Sequence, residues 1–173
     1  TNDSTAGKPS GTHFRTGRIP YRKIGRKAVV VNVSDIAAMG GRPSCVTVSI
    51  GVPKGMSASA VSAVYDGIFS ACDEFDLVLA GGDTVLSRSL VIDVSIMGTV
   101  DKRKLVRRSG AAEGELILMT GPVRDGRKEH ADLSPRLDEA GYLAGRSLPS
   151  SMIDVSDGIA PDLGRLCRAS GTG

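Results

Sequence analysis

Apolar positions along the chain fall into short blocks whose spacing switches between helical and strand periods. Between Ser57 and Phe75, Val61, Val64, Ile68, Cys72 and Phe75 recur at three- and four-residue steps, which predicts an amphipathic helix. Leu90, Ile92, Val94 and Ile96 alternate with the opposite face and predict a strand. Cys45–Val52 is β-branched and stops at Pro53, a second strand. The stretch from Arg22 to Met39 carries two signals. Val29-Val30-Val31 favours a strand, whereas Ile36-Ala37-Ala38-Met39, closed by Gly40-Gly41 and then Pro43, favours a helix with a glycine cap. Periodicity does not separate the two readings, and the capped end makes helix the preferred one.

Leu77–Ala80 reads as a short buried strand that breaks in Gly81-Gly82-Asp83-Thr84. Leu116–Thr120 and Met152–Val155 read as further strands. Pro135–Arg146 predicts a helix, and Ser156-Asp157-Gly158 leads into another with Ile159, Leu163 and Leu166 on one side. Residues 4–12 are turn-formers, and 121–134 are polar and irregular. Alternating strands and helices place the chain in the α/β or α+β classes. The turn-rich stretch 108–114 suggests a boundary, with one domain over 1–112 and the start of a second over 113–173.

With 173 residues and 40% hydrophobic positions the chain can bury a real core, which excludes global disorder. No apolar run approaches the ~18 residues of a membrane span, and residues 1–28 hold no apolar block of the kind a signal peptide needs. Three Tyr, three Phe and no Trp leave few stacking platforms, which argues against single-stranded nucleic acid as a partner. Cys45, Cys72 and Cys167 show no paired spacing and read as buried thiols of a reduced, cytoplasmic protein. The chain opens without Met and stops at Ser170-Gly171-Thr172-Gly173, as a fragment of a longer polypeptide would.

A net charge of +3 names no partner by itself, but its distribution is uneven. Residues 1–28 hold seven Lys/Arg against Asp3 alone, and Lys102, Arg103, Lys104, Arg107 and Arg108 form a second cluster. Such patches suit phosphate-bearing ligands, with a solvated basic face as the simpler reading.

Five aspartates stand out by position: Asp3 in the opening Thr-Asn-Asp, Asp35 in an otherwise apolar stretch, Asp83 after the double glycine, and Asp154 and Asp157 flanking Ser156. Each has a structural alternative. Asp157 could cap a helix, Asp83 could serve a turn, and Asp35 could be a buried acid satisfied by backbone. Together, with Ser and Thr oxygens beside them, they match what Mg²⁺ requires, since it takes oxygen ligands and shares its shell with substrate phosphates. The chain has no GxxxxGK[ST] loop, kinase lysine strand, HExxH or GxSxG, and only two His. Carboxylates and basic patches without an obvious general base fit phosphoryl transfer to an acceptor that is already ionised.

Four phrases then come in order: Val-Asn-Val-Ser-Asp-Ile-Ala-Ala-Met-Gly-Gly-Arg-Pro (31–43), Gly-Gly-Asp-Thr (81–84), Arg-Ser-Gly-Ala (108–111) and Met-Ile-Asp-Val-Ser-Asp-Gly-Ile (152–159). In this order they closely resemble the thiamine-monophosphate kinase family of the aminoimidazole ribonucleotide synthetase superfamily. The resemblance implies an N-terminal α/β domain that dimerises through its sheet, followed here by part of a C-terminal α+β domain. It implies ATP- and Mg²⁺-dependent conversion of thiamine monophosphate to thiamine diphosphate by a homodimer. By motif, Thr1, Asp3, Asp35, Asp83, Asp154 and Asp157 would hold Mg²⁺. Gly82, Asp83, Arg108, Ser156 and Tyr65 would lie at ATP, and His13 would face the thiamine phosphate. Tyr65 also reads simply as a helix-face residue; His130 and the Lys/Arg run at 102–107 match no functional motif and read as surface.

Asn2 stands where the family has Thr, the loop from Asp3 to His13 is longer, and residues 120–126 replace the family's glycine-rich turn. The family's early metal-binding Asp would fall upstream of Thr1. Two alternatives stay open. One is a superfamily member with another acceptor, such as an amidine-forming synthetase or a hydrogenase-maturation dehydratase. The other is a non-catalytic, ligand-binding relative.

Overall fold

The structure, a computed structural model, describes residues 19–122 and 133–173. Helix α1 spans Tyr21–Ala37, strand β1 Arg42–Pro53, helix α2 Ala58–Glu74, strand β2 Val78–Ser87 and strand β3 Val91–Thr99; helices α3 (Leu137–Gly145) and α4 (Ile159–Ser170) follow. The strands form one mixed sheet in the order β2-β1-β3, with β2 parallel and β3 antiparallel to β1. The class is α+β.

The Val29-Val30 stretch is helical despite its β-branched side chains, because Val29, Val30 and Val33 are all buried in the core. Burial outweighs a propensity cost of well under ~1 kcal/mol per residue. Helices α1 and α2 lie together on one face of the sheet, over Val46, Val48 and Ile50 of β1 and Ile92 and Val94 of β3. They cross at a contact that only glycines allow: a Cβ on Gly25 would overlap the Val64 carbonyl, and one on Gly67 the Arg22 carbonyl. Arg26 closes the same pair with two bonds to the Glu74 carboxylate, at 2.9 and 2.8 Å. Ser57 caps α2 by accepting from the Ala60 amide at 3.2 Å.

The other sheet face is open. Thr47 and Ser49 are exposed there, with Val78, Val85 and Met97 more than half exposed.

Several expectations need correction. The strand expected at Leu77–Ala80 does not break at the glycines but runs on to Ser87, and it is mostly exposed rather than buried. A Cβ on Gly82 would overlap the Val48 carbonyl, so the missing side chain is what lets β2 lie against β1. Leu116–Thr120 and Met152–Val155 are not strands. Among the described residues neither pairs with a strand: Met152 makes a single backbone bond, to the Arg107 carbonyl, and at 116–120, where Leu116 and Leu118 are 87% and 80% exposed, the segment has no ladder partner. Of the cysteines, Cys72 is buried as expected, while Cys45 and Cys167 are only half-buried; all three are free. Lys102, Arg103, Lys104 and Arg107 are at the surface as expected, but Lys27 of the N-terminal basic run is buried. No described helix is long and apolar enough to cross a membrane.

Candidate phosphate and metal site

The chain after β3 returns to the end of α1. The Val106 amide donates to the Met39 carbonyl at 3.2 Å, in the turn where α1 stops. One residue on, the Arg107 carbonyl accepts from the Met152 amide at 3.0 Å. Ser170, at the end of α4, donates through its hydroxyl to the Arg108 carbonyl and accepts from the Ala111 amide, at 3.2 and 3.1 Å. The Arg-Ser-Gly-Ala segment is thus clasped between the turn after α1, the stretch leading to Asp154, and α4.

This clasp assembles charge. Asp154 is half-buried, and its carboxyl is held above the usual carboxylate range, first by loss of solvation and then by repulsion from Asp35. Its own backbone hydrogen bond opposes the rise, Asp162 adds repulsion, and Arg108 opposes it more weakly. Asp35, Asp154 and Arg108, distant in sequence, therefore share one electrostatic neighbourhood. Asp35 is exposed, which excludes the reading of it as a buried structural acid.

The Ser156-Asp157-Gly158 turn is shaped by a residue that motif reading passed over. Asp162 is 1% exposed, and its Oδ2 accepts from the amides of Ser156, Asp157 and Gly158 at 2.9, 2.9 and 3.2 Å. Its other oxygen accepts from Arg165, whose second nitrogen bonds Asp157. Asp157 is not the helix cap; Gly158 holds that position, at φ 120°. Three amides of the turn leading into α4, those of Ser156, Asp157 and Gly158, are thus engaged by Asp162 rather than open to an anion. What Ser156 offers a ligand is its hydroxyl. An acid in the first turn after Asp-Gly was a visible signal for Asp162, but it reads as an ordinary helix-dipole partner.

A second group gathers on β2. Asp83 lies opposite Ser49, which faces Asp93 on its other side, so the three form a row across the open sheet face. The Asp83 Oδ1 accepts from the Thr84 amide at 2.7 Å. Thr84 points the opposite way, and its Oγ1 lies 3.0 Å from the Tyr65 hydroxyl of α2. Tyr65 is therefore both a helix-face residue and a neighbour of the Gly82-Asp83 segment. Asp93 Oδ1 is enclosed without a hydrogen-bond partner among the described residues.

Thr1, Asp3 and His13, like Asn2, His130 and residues 123–126, lie outside the described residues. Among the described residues no three His, Cys, Asp or Glu side chains converge closely enough to hold a metal ion by themselves. Two surface depressions flank α1 and α2, lined by Arg22 and Ser70, and none of the candidate residues lines them.

This arrangement, a mixed sheet backed by two helices with acids at its open face and at the turn before α4, has known counterparts. A family model for the AIR synthase related protein, N-terminal domain, matches residues 4–100, and the chain belongs to that family. Within it, the chain matches thiamine-monophosphate kinases. It is 35% identical over 167 residues to that of Rhodopirellula baltica, covering 94% of this chain and 52% of the relative. To the Escherichia coli one it is 33% identical over 184 residues, covering 95% and 56%. The chain spans about half the length of the curated relatives it matches. Among solved structures, the thiamine monophosphate kinase of Aquifex aeolicus superposes with a TM-score of 0.81 at 26% identity, over 95% of this chain and 62% of that one. AaThiL complexed with AMPPCP and TMP gives 0.82 at 26%, over 95% and 59%. Escherichia coli HypE, a hydrogenase maturation protein, shares the fold at 17% identity and a TM-score of 0.75.

Proposed function

We propose that the full product of the gene carrying this chain transfers the γ-phosphoryl group of ATP to thiamine monophosphate, giving thiamine diphosphate and ADP with Mg²⁺. The observation that carries this reading is the clasp that sets the end of α1, with Asp35, beside Arg108 and the approach to Asp154, in a chain that matches thiamine-monophosphate kinases. Burial and Asp35 push the Asp154 carboxyl up, against its own backbone hydrogen bond and a smaller pull from Arg108. A divalent cation is the charge such a group lacks, and oxygen-only donors suit Mg²⁺. The chemistry of these donors fits the metal: Asp35, Asp83, Asp154 and Asp157, with Thr1 and Asp3 by motif, would hold it together with substrate phosphates, since no three of the described acids converge closely enough alone. When bound, Mg²⁺ neutralises phosphate charge.

The chain's own groups do the rest. Arg108, exposed on the clasped segment, offers a planar fork to a phosphate. By motif, the Ser156 hydroxyl, Gly82 and Tyr65 would lie at the nucleotide, and His13 would contact the acceptor phosphate. The acceptor is a phosphate already ionised at neutral pH, so no general base is needed, and catalysis rests on positioning and electrostatics.

The open sheet face, with Val78, Val85 and Met97 exposed, supports pairing with a second copy of the chain. Likeness to thiamine-monophosphate kinases supports a place in the cytoplasm, and the low aromatic content argues against single-stranded nucleic acid as a partner. Calorimetric titration of the full gene product with AMPPCP tests the nucleotide half of the proposal. Binding that requires Mg²⁺ supports it; equal binding in EDTA overturns it.

A further inference from the structure

From the geometry of the 156–158 turn we infer that Asp162 is a positioning residue for the proposed metal and nucleotide site, acting together with Arg165. The inference rests on the function proposed above, and extends it to two residues that no motif assigns. Asp162 is among the most deeply buried side chains of the molecule, although it is ionisable and sits in the first turn of a helix whose other residues are at most half-buried. A buried carboxylate is costly unless its lone pairs are satisfied. Here one oxygen takes three consecutive amides, Ser156, Asp157 and Gly158, and the other takes the Arg165 guanidinium.

Three amides converging on one oxygen fix the path of the turn. With the backbone drawn inward, the Ser156 and Asp157 side chains stay exposed. Arg165 then spans Asp162 and Asp157, so the buried acid also sets where the exposed carboxylate stands. In this form Asp157 is neutralised by a side-chain cation. Because a guanidinium and a divalent ion compete for the same carboxylate oxygens, metal binding exchanges Arg165 for the metal at Asp157, while Asp162 keeps the turn in place. No bond is made or broken beyond hydrogen bonds and ion pairs.

Partners that orient metal-binding side chains are worth about 10–100-fold in metal affinity. The test uses the full gene product, with Mn²⁺ as probe, read by the paramagnetic resonance of free ion in the presence of AMPPCP. Asp162→Ala is expected to weaken Mn²⁺ binding by about 10–100-fold and to raise the Mg²⁺ concentration for half-maximal turnover by the same factor, leaving KM for thiamine monophosphate at saturating Mg²⁺ unchanged. Asp162→Asn keeps one acceptor oxygen for the amides but turns a donor toward Arg165. It is expected to lose less, and it carries the test if the alanine variant does not fold. Arg165→Met removes the competing cation and is expected to tighten Mn²⁺ binding rather than weaken it. Wild-type Mn²⁺ affinity in folded Asp162 variants overturns the inference, as does a loss in which KM, kcat and Mg²⁺ dependence all change together in step with melting temperature. If the wild-type protein itself shows no Mn²⁺-dependent AMPPCP binding, the proposed function fails first.

Discussion

The Met152 amide donates to the Arg107 carbonyl at 3.0 Å, and this bond holds the approach to Asp154 beside the segment that carries Arg108. Their charges then interact, with Arg108 drawing the Asp154 carboxyl down against the larger effects of burial and Asp35. Arg108 has its backbone pinned by Ser170 while its side chain is exposed, which leaves the guanidinium available to a ligand. Arg108→Lys is expected to weaken AMPPCP binding about tenfold, since a lysine cannot supply two parallel donors. Titration of the full gene product decides this. An unchanged dissociation constant would make Arg108 a surface charge.

Asp83 is exposed in the middle of β2, and its one described side-chain bond is to the amide of its neighbour Thr84. Asp83→Asn is expected to nearly abolish turnover while stability changes by no more than about 0.5 kcal/mol, as for surface substitutions generally. Activity and thermal melting are measured on the same preparation. Full activity would remove Asp83 from the site.

Asp154 gives a pH signature. Its carboxyl is raised in the folded chain, so the fold binds that proton more tightly than the unfolded chain does. The stabilisation from that proton is fullest below the unfolded value of about 3.9 and is lost as pH rises through the higher folded value. At neutral pH, without metal, the charged carboxylate is a net cost. Asp154→Asn is therefore expected to melt above wild type at pH 7 in EDTA, with the gap closing toward pH 4. Added Mg²⁺ is expected to stabilise wild type and not the variant. A variant that melts lower at pH 7 would show the carboxylate to be held by favourable partners.

The α1–α2 crossing makes a prediction about the fold alone. A methyl at Gly67 has no room against the Arg22 carbonyl, and rigid backbone on both sides leaves little to adjust. Gly67→Ala is expected to cost at least about 1–3 kcal/mol, or about 2–4 °C of melting temperature per kcal/mol at this length. A scanning calorimeter reads it directly. No change would mean that the helices slide apart without penalty.

Much of this architecture is legible in the residues, and the failures have identifiable causes. The Ser57 cap and the three-to-four spacing after it define α2 almost to the residue. For α1 the decisive signal was the Gly40-Gly41 end, since Val29-Val30-Val31 pointed the other way until burial was known. β2 was read too short because glycine is a breaker by propensity, whereas Gly82 is there to admit a neighbouring backbone. Leu116–Thr120 has a strand's composition but no described partner. In the site, motif order identified Asp35, Arg108 and Asp154, which the fold brings into one neighbourhood. It did not identify Asp162, because three amides meeting on one carboxylate is a property of the folded turn and leaves no pattern of spacing.

The most direct test of the account is ADP release by the full gene product supplied with ATP, Mg²⁺ and thiamine monophosphate, with the thiamine product identified by chromatography. The account predicts that ADP and thiamine diphosphate form in equal amounts, and only when both Mg²⁺ and thiamine monophosphate are present. ADP formed equally with no acceptor, or tight nucleotide binding with no turnover under any of these conditions, would contradict it.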